Sequence, residues 1–352
     1  MAVSDANTKA LELSKQWSSS SVKRYTNADD LINDPNVQAV LIATDTTIHP
    51  ILTIKAVQAG KHVLLEKPIA VSIADSEPVV EAVKRAQAKD PKLRVMVGFS
   101  RRCELIFFFM MTSKLILINQ SKLVDDSYRE AFNRKHELGD VFYFHGVTND
   151  QYDPAAAEFF KAYSKVSGSI LVDCGIHDTD LARWYIGPEK VKKVFAAGYN
   201  ARIHSLAESN DVDNAVASIV FESGKLATLH LSRTAIHGHE CTGQLQGTNG
   251  MYKINTDARM NRLGIYDQHG ARFESTQTYY DRFREAFGNE IREFTDACLD
   301  PNIKLPVSID DAMEATKITV GLQMSFRSGQ QVFFDENNYP IPPKGEFEFS
   351  KL

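Results

Sequence analysis

The stretch from Ala39 to Pro68 limits the possible folds more than any other part of the chain. Ala39 to Ala43 is a short apolar run with Val40 and Ile42, the composition of a buried parallel strand. Pro50 to Ala59 then carries apolar residues at helical spacing, Ile51, Ile54 and Ala56–Val57, and Gly60 suits the left-handed residue that ends a helix. His62 to Leu65 is a second apolar run, closed by Glu66-Lys67-Pro68. Strand, helix and strand of this size make a βαβ unit. Such units collect ligands at the carboxyl ends of their strands. Ala43-Thr44 to His49 and Glu66 to Pro68 are the polar clusters at those ends.

Pro68 fixes its own φ and biases Lys67 toward extended geometry, so the lysine leaves the strand end in a set direction. A cation there can hold a substrate hydroxyl or lower the pKa of a neighbouring base. A second cluster lies at Ser167-Gly168-Ser169 and the following helical run, Asp173-(x)3-His177-(x)2-Asp180. Asp173 and His177 are i and i+4, so one helix would present both on the same face.

Ala59-Gly60-Lys61-His62-Val63-(x)2-Glu66-Lys67-Pro68, followed by that Asp-(x)3-His helix, resembles the Gfo/Idh/MocA family of nicotinamide-dependent oxidoreductases. Ala2 to Asn7, Val97 to Arg102 and Arg282-Phe283-(x)6-Glu290-Ile291-(x)2-Phe294 resemble its inositol 2-dehydrogenase branch. The resemblance implies a hydride moved between NAD and a hydroxyl carbon of a cyclic polyol or sugar. It casts Lys67, Asp173 and His177 as catalytic residues. His177 would take the hydroxyl proton, Asp173 would orient the imidazole, and Lys67 would favour negative charge on the reacting oxygen. Asp5, Ala43, Thr44, His49, Glu66 and Lys67 fall where the family binds its cofactor. Arg101, Asp150 and His239 fall where it contacts substrate. Inositol dehydrogenases generally show Asn near the Asp150 position and Tyr near that of His239, so both positions depart from the pattern. The alternative is a non-catalytic family member that binds a ligand or protein partner.

The N-terminus departs more sharply. An acidic residue at the end of the second strand of such folds binds the adenosine ribose, about 20 residues after a Gly-rich phosphate loop. Val3-Ser4-Asp5 fits the acidic position, yet only four residues precede Asp5. Gly243, Gly247 and Gly250 have the wrong spacing for the loop. The expectation is that the first strand and Gly-rich loop are missing from these residues, and that the chain as written turns over no NAD. Asp5 would repel a 2′-phosphate and no Arg follows it, so NAD is expected in preference to NADP.

The remaining chain divides into a dinucleotide-binding region at 1–102, an apolar insertion at 103–123, a substrate and oligomerisation region at 124–335 and an extended tail at 336–352. Helices are expected at 8–17, 27–31, 74–89, around 125–128, 167–186, 283–299 and 309–327. Strands are expected at 93–99, 141–148, 191–198, 212–221, 226–233, 241–246 and 250–255, with a hairpin turn at Glu222 to Lys225. Consecutive strands without helices between them imply an open mixed or antiparallel sheet. The fold class is therefore α/β, a Rossmann-like parallel sheet plus an α+β region.

Hydrophobic content of 43% and charge of 24% suit an ordinary soluble chain, and a net charge of −5 leaves no nucleic-acid footprint. The longest apolar run of the insertion, Leu105 to Met111, is far short of the roughly 20 residues that span a bilayer. As an exposed loop that insertion would be an aggregation liability. Cys103, Cys174, Cys241 and Cys298 show neither pairing nor metal spacing. His237, His239 and Cys241 alternate along a strand, which favours a pocket wall over zinc. No metal is expected. The expected setting is cytoplasmic, with no nucleic acid or membrane partner and a homo-oligomer, dimer or tetramer.

Overall fold

The computed structural model describes residues 1–103, 127–255, 259–268 and 270–344. Beyond Cys103, the expected insertion lies outside them. The described chain forms two compact units, Met1–Gly98 with Glu293–Met313, and the described parts of Phe99–Arg292 with those of Glu314–Leu352.

The first unit alternates strands and helices. Its elements are β1 (Ala2–Ser4), α1 (Thr8–Leu13), β2 (Lys23–Tyr25), α2 (Ala28–Asn33), β3 (Ala39–Ile42), α3 (His49–Gln58), β4 (His62–Leu65), α4 (Ile73–Lys89) and β5 (Val95–Val97). All of its strand pairs are parallel. The orders are β1-β2 and β3-β4-β5, with His62 to Leu65 in register with Ala39 to Ile42. Local chemistry sets the helix ends. The side chains of Asn7, Asn27 and Ser72 accept from Lys9 N, Asp29 N and Asp75 N, and Gly60 takes φ +72° just past α3. β3 departs from expectation. Val40 and Ile42 are buried but Leu41 is 52% exposed, because β3 borders its sheet and pairs only with β4. Strand β2 was not expected. Two of its three residues are charged, and it is tied down by Asp34, which accepts from Lys23 Nζ at 2.9 Å and Tyr25 Oη at 2.7 Å. Arg94 donates to the carbonyls of Ala297 (3.2 Å) and Pro301 (2.5 Å), which fastens the returning segment 293–313.

The second unit continues with α5 (Ser127–Asn133), β6 (Val141–Gln151), α6 (Ala157–Ser167), α7 (Ile170–Asp173), α8 (Gly175–Ile186), β7 (Val191–Tyr199), β8 (Asn214–Phe221), β9 (Leu226–Ala235), β10 (Glu240–Gly247), β11 (Gly250–Ile254), β12 (Arg259–Asp267) and β13 (Gly270–Ser275). Then come α9 (Tyr279–Leu299), α10 (Ile309–Ser328), β14 (Val332–Phe334) and β15 (Pro340–Ile341). Its eight-stranded mixed sheet has the order β11-β10-β6-β9-β8-β7-β14-β15. Only β6 and β9 pair in parallel there, so both end at the same edge, at Asn149–Gln151 and Ser232–Ala235. The expected 222–225 turn joins β8 to β9, with Gly224 at φ +89°. Of the expected extended tail, 336–344 are described and turn back so that β15 pairs with β14; 345–352 lie outside the described residues. Asp335 Oδ1 accepts from the N–H groups of Asn337 and Tyr339 in the β14–β15 turn.

Strand alternation faces Ala227, Leu229, Leu231 and Arg233 inward. Helix α8 lies on that face, and Gly146 lets it come close: a Cβ there would sit 2.7 Å from Asp178 Oδ1. Two buried ion pairs fix the helix. Arg101 Nη1 donates to Asp178 Oδ1 at 2.9 Å, and Arg102 Nε donates to Asp180 Oδ2 at 2.6 Å. Arg102 also lies 5.3 Å from the ring of Trp184. Cys103, placed by the sequence in the insertion, is fully buried in the turn that carries these arginines. Asp180→Ala would strand the Arg102 guanidinium in a low-dielectric site, at a cost of about 3–5 kcal/mol. Urea unfolding should show that loss, and a change under 1 kcal/mol would mean that Arg102 finds another partner.

Candidate active site

In the first unit, Asp5, Ala43-Thr44 and Glu66-Lys67 follow the carboxyl ends of β1, β3 and β4. Asp5 Oδ1 accepts from Asn7 N at 2.7 Å and the side chain stays exposed. His49 is 1% exposed. Its Nδ1 lies 2.9 Å from Pro68 O and its Nε2 3.0 Å from Thr44 O, so it ties together the loops that follow β3 and β4. Burial lowers its pKa against the pull of those carbonyls. Its side chain therefore acts through the loops and is not itself presented to a ligand. Burial raises the Glu66 carboxyl, opposed by the Lys67 charge and by the Lys67 N–H at 3.3 Å. The Lys67–Pro68 peptide is cis.

In the second unit, Asp173, Asp150 and His239 gather around the shared edge of β6 and β9, and His177 follows one helical turn beyond Asp173. The expected single helix is two abutting segments, α7 and α8, joined at Cys174, whose backbone stays helical. Asp173 ends α7 and His177 lies in the first turn of α8, its ring centroid 6.1 Å from that of Phe99. Asp173 Oδ1 accepts from Tyr163 Oη of α6, and Oδ2 accepts from Arg233 Nη2, both at 3.2 Å. Arg233 is 1% exposed, also donates to Asp211 Oδ2 at 3.3 Å, and lies 4.8 Å from the ring of Phe160. Burial opposes its charge, but Cys174, Asp173, Asp211 and Asp150 together hold its pKa above the ordinary arginine value. Asp211 Oδ1 in turn accepts from Ile170 N, the first residue of α7.

Asp150 Oδ1 faces His239 Nε2 at 3.5 Å, and its Oδ2 receives a weak Cys174 Sγ contact at 3.7 Å. His239 pairs with this carboxylate and not with His237, which is exposed beside Glu240. Among the described residues no cluster of three or more His, Cys, Asp or Glu could hold a metal ion. Arg101, also expected as a substrate contact, lies buried. It is 4% exposed, and its donors reach Asp178, Thr148 Oγ1 at 2.9 Å and Cys241 Sγ at 3.2 Å. It is a buried structural cation, since the packing of α8 on β6 encloses it. The sequence reading missed Arg233 and Asp211. The signal for Arg233 was a charged residue in the inward phase of an alternating strand.

Burial, then the charges of Arg282 and Arg101, push the His239 pKa down to about 3. The unfolded chain binds that proton near pH 6.5 and the folded chain does not. His239 therefore contributes stability that is fully present above about pH 6.5 and is lost as the pH falls toward 3, by up to about 1.4 kcal/mol per pH unit. Urea unfolding at pH 7, 6, 5 and 4 should show this slope in the native chain and a shallower one in His239→Gln. Equal slopes would refute it.

Comparison with known proteins matches residues 1–99 to the oxidoreductase family with an NAD-binding Rossmann fold, and residues 131–253 to the GFO/IDH/MocA C-terminal domain. The scyllo-inositol 2-dehydrogenase (NAD(+)) of Bacillus subtilis is 32% identical over 87% of this chain and 80% of its own length. The myo-inositol 2-dehydrogenase of Thermotoga maritima is 31% identical over 77% and 72%. Among solved structures, myo-inositol 2-dehydrogenase from Lactobacillus plantarum superposes with a TM-score of 0.82, at 27% identity over 95% of this chain and 91% of that one. Scyllo-inositol dehydrogenase from Lactobacillus casei, solved with NAD(H) and scyllo-inositol, gives a TM-score of 0.80, at 25% identity over 95% and 90%. This chain belongs to the GFO/IDH/MocA family of oxidoreductases, whose N-terminal domain is an NAD-binding Rossmann fold.

Proposed function

We propose that this chain is an NAD-dependent dehydrogenase that oxidises a ring hydroxyl of a cyclic polyol of the inositol type, or of a related sugar. The observation that carries this reading is the second unit's cluster. Asp173 is held by Arg233 and Tyr163, His177 follows on the next turn of helix, and the half-exposed Asp150 sits beside them on β6. Several carboxylates and an imidazole around one strand edge suit a ligand rich in hydroxyls.

NAD, when bound, supplies the hydride acceptor. The Asp5 carboxylate, exposed with one oxygen already accepting from Asn7, fits the ribose hydroxyls. No Gly-x-Gly-x-x-Gly run occurs in these 352 residues, so no residue is assigned here to the pyrophosphate. His177 takes the proton of the reacting hydroxyl. Asp173, its charge balanced by Arg233, keeps the imidazole oriented. Lys67 lowers the energy of negative charge on the reacting oxygen. The hold of the His49 imidazole on the Thr44 and Pro68 carbonyls keeps the Lys67 loop in place.

With a Gly-rich strand and loop fused ahead of Ala2, His177→Ala should lower kcat with a cyclic polyol by about 10²- to 10⁴-fold and leave NAD affinity nearly unchanged. Lys67→Ala should lower kcat and raise KM together. The same assay run with NADP should show weaker use of that cofactor. Polyol binding without turnover in that fusion would favour the non-catalytic reading, and full activity in its His177→Ala variant would remove His177 as the base.

The finer setting is also a proposal. Tyr199, Phe195, Val216 and Leu226 are exposed on the sheet face opposite α8, more apolar surface than a lone sheet face comfortably shows to water. We assign this face to a homo-oligomer, a dimer or tetramer. Light scattering should find more than one copy per particle, and Val216→Arg should shift the mass downward. A native monomer would refute the assignment. Among the described residues no helix is long and apolar enough to cross a membrane, and the four cysteines are free, which supports a cytoplasmic setting.

A further inference from the structure

The residue pair that departs from the inositol dehydrogenase pattern, Asp150 and His239, is joined to a third residue on another element. His239 is 3% exposed and opens β10's edge of the site, whereas the Asp150 side chain is 29% exposed. Arg282, in the first turns of α9, is 2% exposed. Its Nε donates to His239 Nδ1 at 3.2 Å, and its Nη2 donates to His239 O at 3.0 Å and Thr276 Oγ1 at 2.8 Å. Thr276 Oγ1 also donates to His239 O at 3.1 Å, and Thr276 O accepts from His239 N at 2.8 Å. The imidazole is further enclosed by the Phe283 ring, edge-on at 5.9 Å, and by Tyr279 at 6.5 Å.

Arginine is a donor only and keeps its proton in proteins. A ring nitrogen that meets Arg282 Nε must therefore accept, so Nδ1 carries no hydrogen. A neutral imidazole then carries its one proton on Nε2. Nε2 faces two groups, Asp150 Oδ1 at 3.5 Å and Cys241 Sγ at 3.7 Å. Burial pushes the Cys241 thiol up to about 12, so it stays neutral, and it already takes a hydrogen bond from Arg101. The carboxylate of Asp150 is the stronger acceptor of the two.

We propose that Arg282 is a positioning residue for the substrate: it locks His239 as the Nε2–H tautomer, and that proton holds Asp150 as an ionised, oriented acceptor for polyol hydroxyls. The proposal rests on the polyol reading for the identity of the ligand, but the lock itself does not. An Asn at the position of Asp150 would offer one acceptor and one donor group. Asp150, held by a donor on one side, offers acceptors alone and selects for ligand groups that donate. The specificity it confers is for a free hydroxyl over the corresponding ketone or methyl ether at that carbon.

Two readouts test it on the full chain. In ¹⁵N-histidine NMR, with the His239 signals assigned by their loss in His239→Gln, the native protein should show a neutral Nε2–H imidazole from pH 5 to 8. Arg282→Met should bring in Nδ1–H tautomer and a titration within that range, whereas Thr276→Val, which loosens the same loop, should keep the native tautomer. An Nδ1–H signal or a titration between pH 5 and 8 in the native protein overturns the lock, as does an unchanged tautomer in Arg282→Met or its loss in Thr276→Val. The native spectrum decides even where Arg282→Met fails to fold. In calorimetric titration with a cyclic hexol, Arg282→Met should raise Kd about 10-fold. An unchanged Kd would overturn the positioning role. No binding of any cyclic polyol by the native protein would sink the polyol reading and the positioning role with it, while the NMR result still decides the lock.

Discussion

Much of the second unit depends on the compensation of one buried cation. Arg233 sits on the inward face of β9 at the sheet edge, where an unpaired guanidinium would cost several kcal/mol. Asp173 and Asp211 meet that need from two separate elements. Because Asp211 also accepts from the first N–H of α7, the same charge balance fixes where that helix begins and where Asp173 emerges at its end. The position of the site's central carboxylate is thus a consequence of burying Arg233.

A second pair of cations performs the matching task for α8. Arg101 and Arg102 lie side by side in one turn, and their partners Asp178 and Asp180 lie two apart on the helix. Two ion pairs from a single turn leave the helix little freedom to rotate or slide. Gly146 then sets its distance from β6, since any side chain there would strike Asp178. His177 precedes the first of these aspartates, so its location follows from clamps it takes no part in.

The sequence was most legible where a period or a terminator was strong. β4 matches its apolar run residue for residue, α3 stops at Gly60, and the β8–β9 turn forms at the Gly224 region. It was least legible where long-range contacts outweigh local composition. β2 is a charged tripeptide held by Asp34, α6 fills a region that reads as a link, and β15 looks like tail until Asp335 turns the chain. Segment 293–313 returns to the first unit through the carbonyls that Arg94 finds, a contact that no boundary drawn along the chain can reveal. Lys67, Asp173 and His177 stood out in the sequence because they belong to motifs. Arg233 and Asp211 did not, because their meaning lies in pairing across the fold. Arg101 shows the same limit, since its buried pairing with Asp178 cannot be read along the chain.

Those pairings also bear on which group can move a proton. Arg233 stays charged because three carboxylates and a thiol face it. Cys241 stays protonated because it is buried. His239 has the right ring for a base but not the right setting. Its Nδ1 lone pair is taken by Arg282, and burial beside two arginines opposes a second proton. A group whose lone pair is already occupied cannot accept the hydroxyl proton of a substrate, whatever its distance. His177 belongs to a different element. It lies in the first turn of α8, one helical turn beyond Asp173, and is only partly buried. With His239 held as a fixed donor, the base role proposed for His177 falls to a separate ring, the separation of roles that alcohol oxidation requires.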